Sequence, residues 1–306
     1  MSRLETFQAQ RTHLIGIAYR MLGEMGAAED VAQEAWLRWQ RAEDEDIRDP
    51  RAWLSAVTVR LSLDALRKAR ARRETYVGPW LPEPLLPDDM RALAADAPAA
   101  RAELASDLSM ALLLMLERLS PEERAALILH DAFNCDYATI AQALEKNEAA
   151  CRKLVSRARE RVKTDRPRQA ISKEQHRELV SRFVLAAAAN NPSEIANLLA
   201  PDVVLYSDGG GKAAAALNPI YGADKVLRFT IGVIKKFGPV DGFRIEETEI
   251  NGAPGFLLRT ADGLHSALTV ELDGGLIRAV YLLRNPDKLR RVSGLGAEQP
   301  AEQGRE

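Results

Sequence analysis

Cysteine is scarce: Cys135 and Cys151 are the only two in 306 residues. Two thiols build no disulfide framework, and their spacing matches no zinc site. Histidine is scarce as well, with four in the chain, and no metal cluster or Ser/His/Asp arrangement is visible among them. The sequence contains no unbroken apolar run of about 18 residues, so no helical membrane span is expected. The opening "MSRLETFQAQ" lacks the apolar core of a secretory signal, and the expectation is a cytoplasmic chain with no membrane contact. No internal repeat is present. The net charge of −2 excludes a globally basic protein but hides strong local asymmetry.

What is present is an ordinary globular composition, 46% hydrophobic and 28% charged. The length suits two or three domains. Residues 4–73 read as helices. Phe7, Leu14, Ile17, Met21 and Leu22 recur at helical spacing before Gly23 and Gly26 punctuate the pattern. In the next helix, "AAEDVAQEAWLRWQRA", Val31, Ala32, Ala35, Trp36 and Trp39 form an apolar stripe, and Asp30, Gln33 and Glu34 a polar face. Trp36, Trp39 and Trp53 are read as core. Asp49 is placed to cap a third helix beginning at Pro50. The end of that helix carries Arg60, Arg67, Lys68, Arg70, Arg72 and Arg73 against one acid, Asp64. Such a face is either solvated or a nucleic-acid contact.

The stretch "YVGPWLPEPL", Tyr76–Leu85, holds three prolines and a glycine and cannot be helical. It nevertheless carries Trp80 and Leu81, which a mere spacer does not need. Residues 74–105 have linker composition and are expected to be extended or weakly structured.

Helical patterning returns over 106–163. Ser120 with Glu123 three residues later forms a capping box. "DYATIAQAL", the turn "EKN" and "EAACRKLVSRARERVK" follow the helix-turn-helix plan, with Asn147 as N-cap. The second helix buries Cys151, Leu154, Val155, Ala158 and Val162. Asn147, Glu148, Arg152, Lys153 and Ser156 stand where a recognition helix reads base edges. The alternative is a plain helical hairpin with a solvated basic face.

After residue 170 the pattern changes. Glu174–Asn190 and Ser193–Leu199 read as helices. The rest alternates in short runs with hairpin turns at Asn251-Gly252, Asp262-Gly263 and Asp273-Gly274-Gly275. This predicts an α+β domain on an antiparallel sheet, with a polar tail from Ser293. "DGGGK", Asp208–Lys212, lacks the spacing of a phosphate loop. Its glycines suit a flexible tip or the close approach of another segment. His265 and Asp208 are candidates for an acid/base pair in a small α+β cup.

The order of these features resembles a known family. "AYRMLGEMGAAEDVAQEAWLRW" is similar to the core-polymerase-binding region of bacterial sigma factors of the sigma-70 family, extracytoplasmic function (ECF) group. "DPRAWLSAVTVRLSLDALR" resembles the adjoining part that melts and reads the −10 promoter element, with Trp53, Arg60, Asp64 and Arg67 at matching places. "LERLSPEERAALILHDAF" with the helix-turn-helix resembles the domain that reads the −35 element. "WLPEP" (Trp80–Pro84), "DGGGK" and "NPDKL" (Asn285–Leu289) match a subgroup with a fused C-terminal SnoaL-like domain. Cys151 departs from the apolar or β-branched residue usual at its place.

The resemblance implies two all-α sigma domains, 1–75 and 106–166, joined by a linker, 76–105. A cone-shaped α+β barrel of the ketosteroid-isomerase type would follow over 175–292, then a tail, 293–306. It implies a non-enzymatic factor, without cofactor or metal, that directs core RNA polymerase to promoter DNA and is restrained by its own C-terminal domain. Asp30, Gln33, Glu34 and Arg38 would face the polymerase β′ and β subunits. Arg60, Asp64, Arg67 and Lys68 would serve the −10 element, and Asn147, Glu148, Arg152, Lys153, Ser156 and Arg157 the −35 element. The regulatory contact would join Trp80, Leu81 and Pro82 of the linker to Asp208, Gly209, Gly210, Gly211, Lys212, Asn285, Pro286 and Asp287. The expected mode is a grip by uncovered backbone donors of the glycine loop, with Trp80 as anchor. Two alternatives stand beside this: a small-ligand sensor or residual enzyme on a DNA-binding regulator, and a helix-turn-helix repressor that works without polymerase.

Overall fold

The computed structural model describes residues 2–42, 47, 49–73, 75–94, 107–163, 171–237, 244–261 and 263–294. Ser2 starts α1 (Arg3–Leu22) by a reciprocal cap, its hydroxyl accepting from Glu5 N while the Glu5 carboxylate accepts from Ser2 N. Gly23 ends α1 at φ 70°, a left-handed conformation that glycine adopts without penalty. α2 (Met25–Arg41) follows at once, so Gly26 lies inside a helix rather than between two. The Asp49 carboxylate accepts from the backbone N of Arg51 and Ala52 and opens α3 (Pro50–Arg73). Trp39 is buried with Phe7, Leu14 and Leu54, and the partly buried Trp36 and Trp53 pack against this cluster.

The linker departs from its expected looseness at one place. Pro87–Leu93 forms a short helix, α4, because Pro87 suits a first helical position and Asp89 accepts from Leu86 N. Residues 95–106 lie outside the described residues.

Ser109 caps α5 (Met110–Leu116), and the Ser120–Glu123 box caps α6 (Pro121–Leu127). A π-helical turn, Ile128–Ala132, continues α6. The helix-turn-helix is α7 (Tyr137–Leu144) and α8 (Glu148–Lys163), with Asn147 accepting from Ala150 N at 2.8 Å. Cys151, Val155, Ala158 and Val162 are buried, so Cys151 packs as a small hydrophobe. One apolar cluster runs without a break from α1–α3 into α5–α8. In it Ile17, Met21, Leu63 and Leu66 join Leu113, Leu119, Ile140 and Val155.

The C-terminal unit holds α9 (Lys173–Ala188), α10 (Pro192–Leu198), β1 (Leu199–Asp208), β2 (Ile220–Tyr221), α11 (Ala223–Phe237), β3 (Arg244–Ile250), β4 (Ala253–Thr260), β5 (Gly263–Asp273), β6 (Leu276–Leu283) and α12 (Pro286–Gly294). Its six-stranded sheet has the order β2-β1-β6-β5-β4-β3. The sheet is not purely antiparallel as expected, because β1 pairs with β6 in parallel. The long connection through α11 and four strands, β2–β5, returns the chain beside β1 in the same direction, which a tight turn cannot do. α12 occupies the start of the expected tail; the remainder of the tail lies outside the described residues, as does Asp262.

Alternation along the strands makes two apolar faces. Phe256, Leu268, Val270 and Val280 meet α9–α11. Leu257, Ala267, Ala279, Tyr281 and Leu283 form the other face. That second face is closed by Leu289 and Val292 of α12 together with Leu81 and Leu86 of the linker and Met110 of α5. The linker is therefore part of the C-terminal core.

Candidate functional site: the linker grip and the exposed reading surfaces

β1 delivers Asp208 to its end, fully buried. The Asp208 carboxylate accepts from Leu81 N at 2.9 Å, from Lys288 Nζ at 2.6 Å and from the Tyr76 hydroxyl. Lys288 Nζ also donates to Leu81 O and sits 4.2 Å from the Trp80 ring centroid. Asn285 Nδ2 donates to the Tyr76 hydroxyl at 2.8 Å. Burial, then the bond to Asp208, pushes the Tyr76 phenol far above its ordinary pKa, so it stays a donor. Leu81, Pro82 and the rest of the segment to Leu86 are buried.

The glycine loop works differently from the expectation. Lys212 N and Ala213 N bond to Gly209 O within the loop, while the bonds to the linker here run to the side chains of Asp208, Asn285 and Lys288. The glycines instead give room. A Cβ on Gly209 would stand 2.2 Å from Ala213 O, and one on Gly210 would stand 2.3 Å from Asn285 Nδ2. Gly211 approaches Val77 of the linker. Lys212 pairs with Asp287, not with the linker. Pro286 opens α12, and Asp287 N donates to Asn285 Oδ1 at 3.0 Å. Trp80 is anchored on the other side: a Cβ on Gly23, at the end of α1, would stand 2.5 Å from its ring. Side chains of Asp208, Asn285 and Lys288 hold the linker, and Trp80 lies between Lys288 and Gly23.

Sequence reasoning singled out neither Tyr76 nor Lys288 of this grip, nor four residues around it. Glu83 N donates to Gly23 O at 2.8 Å, and Glu83 Oε2 accepts from Met25 N at 2.6 Å. That bond caps α2, whose own N-cap residue Glu24 makes none. Burial pushes the Glu83 carboxyl above its ordinary range. Tyr19, inside the quoted motif, donates to Glu83 O at 2.8 Å. Arg291 of α12 reaches Glu29 of α2 at 3.1 Å and Asp89 of α4 at 3.0 Å. Asn251, read only as a turn residue, is buried at the tip of the β3–β4 hairpin. Periodicity marks none of these, because each acts by a contact distant in sequence.

His265 and Asp208 do not form the acid/base pair considered above. His265 bonds Ser266 and, at 2.7 Å, Arg284, while Asp208 is occupied by the linker and Lys288. Burial, reinforced by Arg284, lowers the His265 pKa.

The candidate reading surfaces are mostly open. Asn147, Glu148, Lys153, Ser156 and Arg157 of the α8 face are exposed. Arg152 is exposed too, but it is held by Glu148 at 2.6 Å and lies over the Tyr137 ring at 4.9 Å. On α3, Arg67 pairs with Asp64 at 3.0 Å and Lys68 is exposed, whereas Arg60 bonds Glu145 in the helix-turn-helix turn at 3.4 Å. On α2, Asp30, Gln33 and Arg38 are exposed, and the half-exposed Glu34 pairs with Arg38 at 3.1 Å.

Comparison with known proteins matches residues 6–72 to sigma-70 region 2 and residues 109–162 to sigma-70 region 4. The chain is 42% identical over 294 residues to the ECF RNA polymerase sigma factor SigJ of Mycobacterium tuberculosis, spanning 92% of this chain and 91% of that protein. This chain is an ECF sigma factor of the sigma-70 family. A second M. tuberculosis protein, named "Probable ECF RNA polymerase sigma factor SigI", is 31% identical over 95% of this chain and 97% of that one. The crystal structure of M. tuberculosis SigJ superposes with a TM-score of 0.73 at 37% identity, covering 94% of this chain and 98% of that chain. The similarity thus runs through the sigma regions and the α+β domain. Within this ECF sigma factor, α1–α3 make up region 2 and α5–α8 region 4. No helix among the described residues is long and apolar enough to cross a membrane.

Proposed function

We propose that this sigma factor recruits core RNA polymerase to promoters and is restrained by its own C-terminal domain until the two sigma regions separate. The exposed face of α2, with Asp30, Gln33, Glu34 and Arg38, meets the polymerase β′ and β subunits. The basic part of α3, with Arg60, Asp64, Arg67 and Lys68, serves the −10 element by backbone attraction and stacking. The α8 face, with Asn147, Glu148, Arg152, Lys153, Ser156 and Arg157, reads the −35 element as duplex. The factor works in the cytoplasm, without catalysis or cofactor.

The observation that carries the restraint is the unbroken core shared by region 2 and region 4. Arg124 Nε of α6 donates to Arg20 O of α1 at 3.0 Å, and Arg60 is tied to Glu145 across the same boundary. The two promoter elements lie about 25 base pairs apart, roughly 85 Å at 3.4 Å per base pair. Two regions in one core cannot span that distance, so this arrangement is the inactive one. Docking of the linker on Asp208 keeps the regions and the C-terminal domain at high effective concentration.

Transcription in vitro with core polymerase and a randomised promoter library tests the reading. The full chain is expected to give specific transcripts, and the linker-releasing variant Asp208→Ala a changed yield from the same promoters. No polymerase-dependent transcript from either would overturn it in favour of a repressor that binds operators alone.

A further inference from the structure

We propose that the Asn251 carboxamide is a latch by which the C-terminal domain holds region 2 and region 4 together. An Asn-Gly hairpin tip ordinarily ends in solvent. This one is driven into the interface, with Asn251 0% exposed and at φ 53°. Its backbone N donates to Leu85 O at 2.8 Å. Its Oδ1 accepts from Leu85 N at 3.0 Å. Its Nδ2 donates to the Tyr19 hydroxyl at 3.0 Å and to Leu108 O at 2.8 Å. The amide uses both N–H bonds and one acceptor site.

The partners belong to different parts of the chain. Tyr19 lies in the last turn of α1 in region 2, Leu85 is linker, and Leu108 leads into α5 of region 4. The Tyr19 hydroxyl passes the connection on, donating to Glu83 O at 2.8 Å. If region 2 moves away from region 4, Nδ2 must give up Tyr19 or Leu108. That bond is then exchanged for water, so the closed arrangement keeps the net advantage of a satisfied buried hydrogen bond. The Asp208 site has a different task, since among the described residues its carboxylate bonds the linker and Lys288. Two holds therefore act in parallel: Asp208 fastens the linker to the C-terminal domain, and Asn251 fastens the two sigma regions to each other through it. The inference rests on the reading that the shared-core arrangement is the restrained one.

A merely local role has a clear signature. Asn tolerates a left-handed turn, and so does Gly. Asn251→Gly keeps the turn and removes the carboxamide. Asn251→Asp keeps the shape and the Oδ1 acceptor but removes both N–H donors, and sets an oxygen against Leu108 O. The test uses the full chain without polymerase or DNA, so a failed transcription assay leaves it intact. Distance distributions are measured by pulsed electron paramagnetic resonance between labels, introduced as unnatural amino acids, at Arg11 and Gln142, and separately at Thr75 and Glu178. Both variants are expected to raise the separated population of the Arg11–Gln142 pair by about tenfold or more. The Thr75–Glu178 distance should stay as in the wild type. An unchanged Arg11–Gln142 distribution in either variant overturns the latch. So does broadening of both distances together, or loss of folding by circular dichroism, because the residue would then be a general packing element.

Discussion

The Asp208 carboxylate and the Lys288 ammonium lie 2.6 Å apart, with side-chain exposures of 0% and 7%. A buried pair repays its desolvation only when further hydrogen bonds satisfy both ions. Here the linker supplies them, through Leu81 N to Asp208 and Leu81 O from Lys288. Ion pair and docked linker are one unit. Asp208→Ala leaves the ammonium buried and should cost about 3–5 kcal/mol of unfolding free energy. In denaturant titration the double variant Asp208→Ala/Lys288→Met is expected to cost less than the sum of the singles. Additivity would separate the two residues.

Trp80→Ala and Gly210→Leu should alter transcription in the same direction, and less than additively when combined. The first removes the ring between Lys288 and Gly23; the second drives a side chain into Asn285, which holds Tyr76. Both routes lead to the same Asp208 carboxylate. Independent, summed effects in that cycle would show that linker and loop act apart.

Lys153→Ala and Arg157→Ala should weaken promoter binding without changing the fold, since both side chains are exposed on α8. A base-reading contact is worth roughly 1–3 kcal/mol, and a phosphate contact instead lowers the salt dependence by about one charge. Arg152→Ala is expected to do less than its position suggests unless Glu148 releases it, because the pair is already formed. Binding titrations of the holoenzyme at several salt concentrations separate these outcomes.

Charge reversal at Glu34 should abolish holoenzyme assembly while the circular dichroism spectrum stays that of the wild type. The surface pair with Arg38, nearly half exposed on both sides, contributes at most about 1 kcal/mol to the fold. A variant that unfolds would make Glu34 structural.

His13 ties region 2 to region 4: its ring packs edge-on against Phe133, centroids 4.7 Å apart, and Nε2 lies 3.2 Å from Ser55 Oγ. Burial, then Arg51 and Arg20, lowers its pKa from 6.5 to about 4. The folded chain therefore prefers the neutral imidazole. Its contribution is fully present above the unfolded value near 6.5 and is lost as pH falls towards about 4. Melting temperatures of wild type and His13→Gln should converge as pH is lowered through that window. A constant difference would mean that His13 does not titrate with unfolding.

Local pattern was enough for most helices, their caps and the hairpins, whereas α4, α11 and α12 fell in stretches not read as helical. Ser120 with Glu123, Asn147 before α8 and Asn251-Gly252 between β3 and β4 each act within a few residues, where backbone chemistry decides the outcome. The amphipathic stripes likewise marked the buried faces of α2 and α8, because a helix repeats every 3.6 residues whatever it packs against. Tertiary structure alone decided what those faces and turns meet. The parallel β1–β6 pairing, the joining of two sigma regions into one core, Trp80 on Gly23, Glu83 at the start of α2 and Asn251 between Tyr19, Leu85 and Leu108 all connect positions far apart in the chain. Glycine can signal a close approach, but not from which segment; a turn asparagine can signal a bend, but not that its amide is buried. Those partners are selected by the three-dimensional fit of whole elements, through hydrogen bonds and contacts that leave no period in the sequence.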